Sequence, residues 1–593
     1  MDNLVSLWEN AVKRFGDNPY IGTRSPSGAY VWVTYRDVDE RVARLRSGLS
    51  RLGVGLGDAV GIIANNRLEW VIAAFATYGL GARYVPMYES ELIAVCKYIV
   101  TDSAVKVLLV SKPEILEKVR SFPGEIPSLE TVVLIEGEGK GTLAELESAG
   151  AAERVPSVTP RPEEIAGLIY TSGTTGDPKG VLLSHRNFCS NVLAACGGFP
   201  VLSSQDRCIS ILPWAHSYAQ TVELYTFTHL GGSIGIMGST ATLVQDMAQV
   251  RPTFVIAVPR VFNKIYDALQ TAMTEKGGIA KRLFDMGLES ARKRRESADR
   301  GKANGNVLNA LKFRLADRIV FQKIRDRFGG RLTQSLTGSA AINPDIHHFF
   351  HDIGIPLYES YGMTEASPGI SANCPAANRM GSVGRPLPGV RVAIDASVVE
   401  EGATDGEIIV YGPNVMQGYH NKPEQTREVL TPDGGLRTGD RGRLDDDGFL
   451  HITGRIKEQF KLENGKFVFP AALEEDIMLV PWVQNALIYG ENRLYTICLV
   501  VPDFFALERY AAKNGIDADP KTLIGRREIQ DMIAGDIAGA LKGRYGGYEI
   551  PKRFLFLTDA FSVENGLMTQ TMKLKRKAIL ERFKADIEAL YAS

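Results

Sequence analysis

Between residues 38 and 52 the apolar side chains return with helical spacing. Val38, Val42, Leu45, Leu49 and Leu52 fall on one face, which predicts a helix with that face buried. Thr34 with Asp37 makes a capping pair at its start, and Gly53 stands where a helix would end. The pattern then changes period. Residues 59–63 read as an apolar strand, 68–80 as a helix and 82–86 as a second strand. Strand, helix and strand at this spacing predict a βαβ unit, hence a parallel sheet and an α/β class. Similar strand signals recur at 107–110, 131–135, 167–170, 208–212 and 253–258, with no fixed-period repeat.

Two later stretches differ. Residues 271–331 hold 16 Lys/Arg against 7 Asp/Glu, and Leu308, Leu311, Leu315 and Ile319 recur among the charges. Two helices with solvated faces are the preferred reading of that run. A surface attracted to anionic lipid headgroups is the functional one. Past about residue 455 the pattern shortens: a helix at 471–479, strands at 486–489 and 495–501, and a final helix at 574–590. The expectation is a large N-terminal α/β domain, 1–456, followed by a smaller mobile α+β domain, 457–593.

Composition narrows the function classes. The 593 residues carry 68 Lys/Arg and 69 Asp/Glu, a net charge of -1, which argues against a globally basic nucleic-acid binder and an acidic disordered chain. Six cysteines without a C-x-x-C pair argue against a disulfide framework and a structural zinc site. The start lacks a signal-peptide pattern, and the longest apolar runs are too short to span a bilayer. A reducing, cytoplasmic compartment is the expectation.

The densest chemistry lies at 170–181, YTSGTTGDPKGV. Glycines let backbone N–H groups approach an anion, hydroxyls add donors, and Lys179 adds a point charge. A cradle for nucleotide phosphates built from Thr171, Ser172, Gly173, Thr174, Thr175, Gly176 and Lys179 fits this composition. A kinase-type loop needs Gly-Lys-Ser/Thr, and here Lys179 lies between Pro178 and Gly180.

This segment resembles the signature of the adenylate-forming superfamily, which includes acyl-CoA synthetases. The resemblance continues in order through LPWAHSYAQ (212–220), TGSAAINP (337–344), YESYGMTEAS (358–367), RTGDRG (437–442), TGRIKEQFK (453–461) and TQTMKLKR (569–576). It implies ATP and CoA as co-substrates and Mg²⁺ as cofactor. Tyr361 would stack adenine, with Gly338, Ser339 and Ala340 as the opposite wall and Glu359, Ser360, Gly362 and Met363 beside it. Thr364 would bond the α-phosphate, and Glu365 with Thr171 would hold Mg²⁺. Asp440 would take the ribose hydroxyls, Arg455 would reach ribose and phosphate, and Lys461 would lie near the nucleotide or the thiol channel. His216 would sit beside the reacting carboxylate. Lys573 would bridge carboxylate and α-phosphate, with Lys457 as the hinge.

The loop 463–466 (ENGK) and the helical insertion at 271–331 look like long-chain members of the family. The function expected is activation of a fatty acid to acyl-AMP and its transfer to CoA. The alternatives are a medium-chain or aryl acid, a carrier-protein acceptor, or a regulatory nucleotide-binding protein without turnover. His347, His348 and His351 lack the H-E-x-x-H arrangement and read as ordinary helix residues.

Overall fold

The structure is a computed structural model that describes residues 1–171, 177–299, 307–400, 402–516, 519–570 and 573–592. Thr34 closes a complete capping box with Asp37, and the helix Tyr35–Arg51 follows, burying Val38, Val42, Leu45 and Leu49. The strands Ala59–Ile63, Arg83–Met87, Val105–Val110 and Thr131–Leu134 pair in parallel as expected. They belong to a seven-stranded sheet that also takes in Ile165–Thr171, Lys179–Ser184 and Gly418–Tyr419. The last two of these pairings are antiparallel, so this sheet is mixed.

A nine-stranded sheet is built around Arg207–Ser210, Ser233–Ile236, Phe254–Ala257, Gln334–Thr337 and Leu357–Gly362, which run parallel to one another, while Gly369–Ala372 joins Leu357–Gly362 antiparallel. One continuous core joins the two sheets, with Val60, Ile62, Tyr84 and Ile169 from the first meeting Ile234, Phe254 and Leu336 from the second. A third, antiparallel sheet, Arg391–Asp395 to Leu450–Arg455, brings Asp440 opposite Arg455.

From residue 460 onward the chain has its own apolar cores, around Leu473, Ile488 and Ile533 and around Leu499, Leu557 and Ile579. Its three-stranded sheet is Val483–Tyr489, Ile497–Pro502 and Arg553–Phe556. The single final helix expected from sequence is two, Arg576–Arg582 and Lys584–Ala592, broken at Phe583. The break lets Ile579 and Ile587 both enter the core of this part. Among the described residues no helix is long and apolar enough to cross a membrane.

The basic stretch forms helices Pro259–Lys276, Gly278–Asp299, Val307–Ala316 and Gln322–Arg327, with a short π-helical turn between the last two. Phe284, Phe321 and Ile324 point into the core. Leu311, Leu315 and Ile319 do not: they are 63%, 49% and 39% exposed.

Candidate active site

The strand Ile165–Thr171 pairs antiparallel with Lys179–Ser184, with Thr171 opposite Lys179. The glycine- and hydroxyl-rich segment therefore joins two antiparallel strands. Thr171 and Lys179 stand at its base; Ser172, Gly173, Thr174, Thr175 and Gly176 lie outside the described residues. The Lys179 ammonium lies 4.9 Å over the Tyr419 ring, and the Tyr419 hydroxyl donates to Glu365 Oε1 at 2.7 Å. Glu365 is buried, as is Thr364, whose hydroxyl is 3.1 Å from Ser217 Oγ.

Gly338 and Ser339 follow the strand Gln334–Thr337, and Ser360, Tyr361 and Gly362 end the adjacent strand. The two backbones approach so closely that a Cβ at Gly338 would lie 2.8 Å from Ser360 Oγ. One at Gly362 would meet the Pro368 carbonyl oxygen at 2.1 Å. Gly338 thus keeps a gap open beside Ser360, and Gly362 allows the Pro368 backbone to pack against the strand end.

Asp440 is buried, and both its carboxylate oxygens are engaged. The Tyr361 hydroxyl donates to Oδ2 at 2.6 Å and Arg455 Nε reaches Oδ1 at 2.9 Å. Lys573 faces the same place from the C-terminal part. Much of this residue stays open to solvent, but its ammonium is crowded by protein atoms and is held below the ordinary lysine range. Lost hydration is the main cause and the Arg455 charge the next, opposed by Asp440, Glu458 and Glu365. The charge of the same ammonium is felt at His216, whose pKa falls to about 4, first through burial and then through Lys573. His216 is therefore neutral at pH 7. Its Nδ1 accepts the Tyr218 N–H at 3.2 Å, which leaves the proton on Nε2.

Behind His216 and Gly338 lies a cleft of about 740 Å³, its open mouth included. Tyr218, Val222 and Thr226 descend its wall on successive helical turns, and Phe199, Phe227 and Phe254 form an aromatic cluster at the far end. Gly338 follows the C-terminal end of its strand, whereas Phe254 pairs with Gln334 at the other end. Four residues of strand make the cleft about 13 Å deep.

Several members of this assembly carry no sequence signal. Asn66 accepts the Trp214 N–H at 2.7 Å and donates to the Leu212 carbonyl at 2.7 Å, clamping the turn that carries His216. Glu223 lies beneath it and accepts from Trp214 Nε1 at 2.7 Å; burial pushes its carboxyl up to about 8. Glu359 is paired with His347 at 3.1 Å inside the fold. Ala340 follows Ser339 in the loop after Gln334–Thr337, and Met363 lines the cleft. Lys461 sits on the small hairpin Phe460–Lys461 and Phe467–Val468, with its ammonium 5.6 Å from the Phe467 ring centre. Lys457 is exposed in the turn after Leu450–Arg455.

The family model for AMP-binding enzymes matches residues 8–420, and that for the AMP-binding enzyme C-terminal domain matches 457–593. The chain belongs to the AMP-binding enzymes, the adenylate-forming superfamily.

A long-chain-fatty-acid–CoA ligase of Mycobacterium tuberculosis is 33% identical to this AMP-binding enzyme over 573 residues, 95% of this chain and 93% of the relative. Long-chain-fatty-acid–CoA ligase 6 of Rattus norvegicus is 33% identical, across 99% of this chain and 86% of the relative. Among solved structures, the adenylation domain of a carboxylate reductase from Mycobacterium chelonae superposes with a TM-score of 0.78 at 24% identity, covering 100% of this chain and 91% of that one. An anthranilate–CoA ligase in complex with anthranoyl-AMP gives 0.75 at 19% identity, covering 99% and 98%. At these identities the structural likeness speaks for the fold, a large N-terminal domain with a smaller C-terminal one.

Proposed function

We propose that this AMP-binding enzyme is an AMP-forming acid–thiol ligase that converts a long-chain fatty acid to its CoA thioester through an acyl-adenylate. The observation that carries this reading is the apolar cleft, which opens between His216 and Gly338 within the charge field of Lys573. An acyl chain lying in it would gain about 0.8 kcal/mol for each methylene buried, while its carboxylate stays at the polar mouth. The names of the curated relatives favour the same acid class and acceptor.

The residues divide the work. Tyr361 and the Gly338–Ala340 wall would take adenine, and Asp440 with Arg455 would take the ribose. Lys179 and the segment 171–176 would hold the phosphates. The neutral His216, with its proton on Nε2, would donate toward an oxygen of the reacting carboxylate. Lys573 would neutralise the approach of carboxylate to α-phosphate, the repulsive feature of the first step. Glu365 and Thr171 fit Mg²⁺ held jointly with substrate phosphates, since the ion commonly takes only one or two protein oxygens; it would supply charge neutralisation there. A turn of the small domain, 457–593, about Lys457 would then withdraw Lys573 and admit the thiol.

The test is CoA-thioester formation across acids of graded chain length, with a carrier protein offered as rival acceptor. Rates at limiting acid should climb with chain length by up to about fourfold per methylene until the cleft is filled. Exclusive transfer to the carrier protein, or no acid-dependent ATP–pyrophosphate exchange at any length, would overturn the reading.

The exposed stripe gives the same substrate a source. Leu311, Leu315 and Ile319 recur at helical spacing on the outer face, flanked by the exposed cations Lys312, Arg314, Arg318 and Lys323. This outward placement favours an anionic lipid surface over the merely solvated faces expected from sequence. Apolar side chains would enter the acyl boundary, and each cation would add about 1 kcal/mol near the headgroups. The double variant Leu311→Asp/Leu315→Asp should lose co-sedimentation with phosphatidylserine-containing vesicles and keep full turnover of detergent-dispersed acid. Undiminished vesicle binding would reject the contact.

A further inference from the structure

Lys573 sits on a loop that the N-terminal part grips at Gln570. Three residues earlier, Gln570 Nε2 donates to the Ser90 carbonyl at 2.9 Å, and Gln570 Oε1 accepts from Ser90 Oγ at 2.6 Å. Two complementary bonds thus join the C-terminal part to the N-terminal one across 480 positions of sequence. The loop is also closed on itself. Thr569 N–H donates to the Lys573 carbonyl at 2.8 Å, and Lys573 N–H donates to Thr569 Oγ1 at 3.1 Å. With its ends tied in this way, Lys573 follows wherever Gln570 is seated.

The ledge under Gln570 is rigid for its own reasons. Glu89, next to Ser90, is held by Lys112 Nζ at 2.6 Å, Ser111 Oγ at 2.7 Å and the Asn65 N–H at 3.2 Å. The following residue, Asn66, clamps the Leu212–Trp214 turn that carries His216. Adjacent residues just beyond the strand Ala59–Ile63 therefore anchor both the support for the Lys573 loop and the His216 turn. Lys573 and His216 thereby share one reference frame.

We propose that Gln570, seated on Ser90, is a positioning residue that registers Lys573 against His216 for adenylate formation and lets go for the thiol step. This rests on the role given to Lys573 above. Both partners lie at the protein surface, so each hydrogen bond is of the modest kind that can be broken once per turnover.

The experiment measures the two half-reactions separately: acid-dependent ATP–pyrophosphate exchange, and thioester formation from chemically prepared acyl-AMP. Gln570→Ala removes both bonds and should slow exchange about tenfold through kcat, with the KM for ATP unchanged. Ser90→Ala removes only the hydroxyl and should slow it about threefold. The double variant should match Gln570→Ala alone, and Ser90→Thr should restore the rate. Thioester formation should be unaffected throughout. Unchanged exchange in Gln570→Ala, equal losses in both half-reactions, or multiplicative losses in the double variant would each overturn the proposal. Lys573→Ala, assayed in parallel, separates the two ideas. If it loses exchange while Gln570→Ala does not, only the seating fails; if it keeps exchange, the assignment of Lys573 fails.

Discussion

Lys573→Ala will lower acid-dependent ATP–pyrophosphate exchange by about a hundred- to a thousandfold and leave thioester formation from preformed acyl-AMP largely intact. The magnitude is that of removing one preorganised donor from a developing charge. The asymmetry follows from electrostatics. Uniting a carboxylate with an α-phosphate brings two anions together, whereas attack of a thiol on the finished anhydride does not. The proposed role in the first event draws on the surroundings of Lys573: its charge is felt by His216, and Asp440, Glu458 and Glu365 pull its pKa back toward the charged form. The variant should fold normally, because Lys573 is largely exposed and lies outside the apolar cores. Equal loss in both half-reactions would reject the assignment.

Val222→Trp will exchange a preference for long acids for one for short acids. Val222 lines the cleft one helical turn below Tyr218 and one above Thr226, so an indole there blocks the cleft part-way down. The new ring enters open space, not packed core, and so avoids the strain of overfilling an interior. Each excluded methylene forfeits about 0.8 kcal/mol, so losing four costs about 3 kcal/mol and lowers kcat/KM for a long acid by about a hundredfold or more. Acids short enough to stop above residue 222 should retain most of their activity. The check is kcat/KM across chain lengths for both proteins. A uniform drop, with no change in the order of preference, would place the acyl chain elsewhere.

How much was legible beforehand depended on the range of the interactions. The helix after Thr34 and the strand Ala59–Ile63 were readable because capping, helical spacing and apolar runs act over a few residues. The order of the motifs named the chemistry, and the structure brings His216, Tyr361, Glu365, Asp440, Arg455 and Lys573 into one neighbourhood. The supports were illegible. Asn66 meets Leu212 across 146 positions and Tyr419 meets Glu365 across 54, with nothing local to mark either pair. The hairpin under the phosphate-type loop was missed because Lys179–Ser184 gives only a short strand signal hidden behind the loop's glycines. The outward stripe of Leu311, Leu315 and Ile319 has the same periodicity as a buried face. Periodicity alone does not say which side of a helix meets the protein.

The tie between Asp440 and Arg455 has a mechanical side. Arg455 is the last residue of its strand, fastened to a buried carboxylate, and Phe460 already belongs to the small hairpin beyond. A tether this short transmits torque but allows almost no drift. If the C-terminal part swings as proposed, it would pivot at fixed radius, and Lys573 would stay close to the site it leaves. Its local concentration would then stay high throughout, and return to the starting pose would require a turn of the joint, not a search.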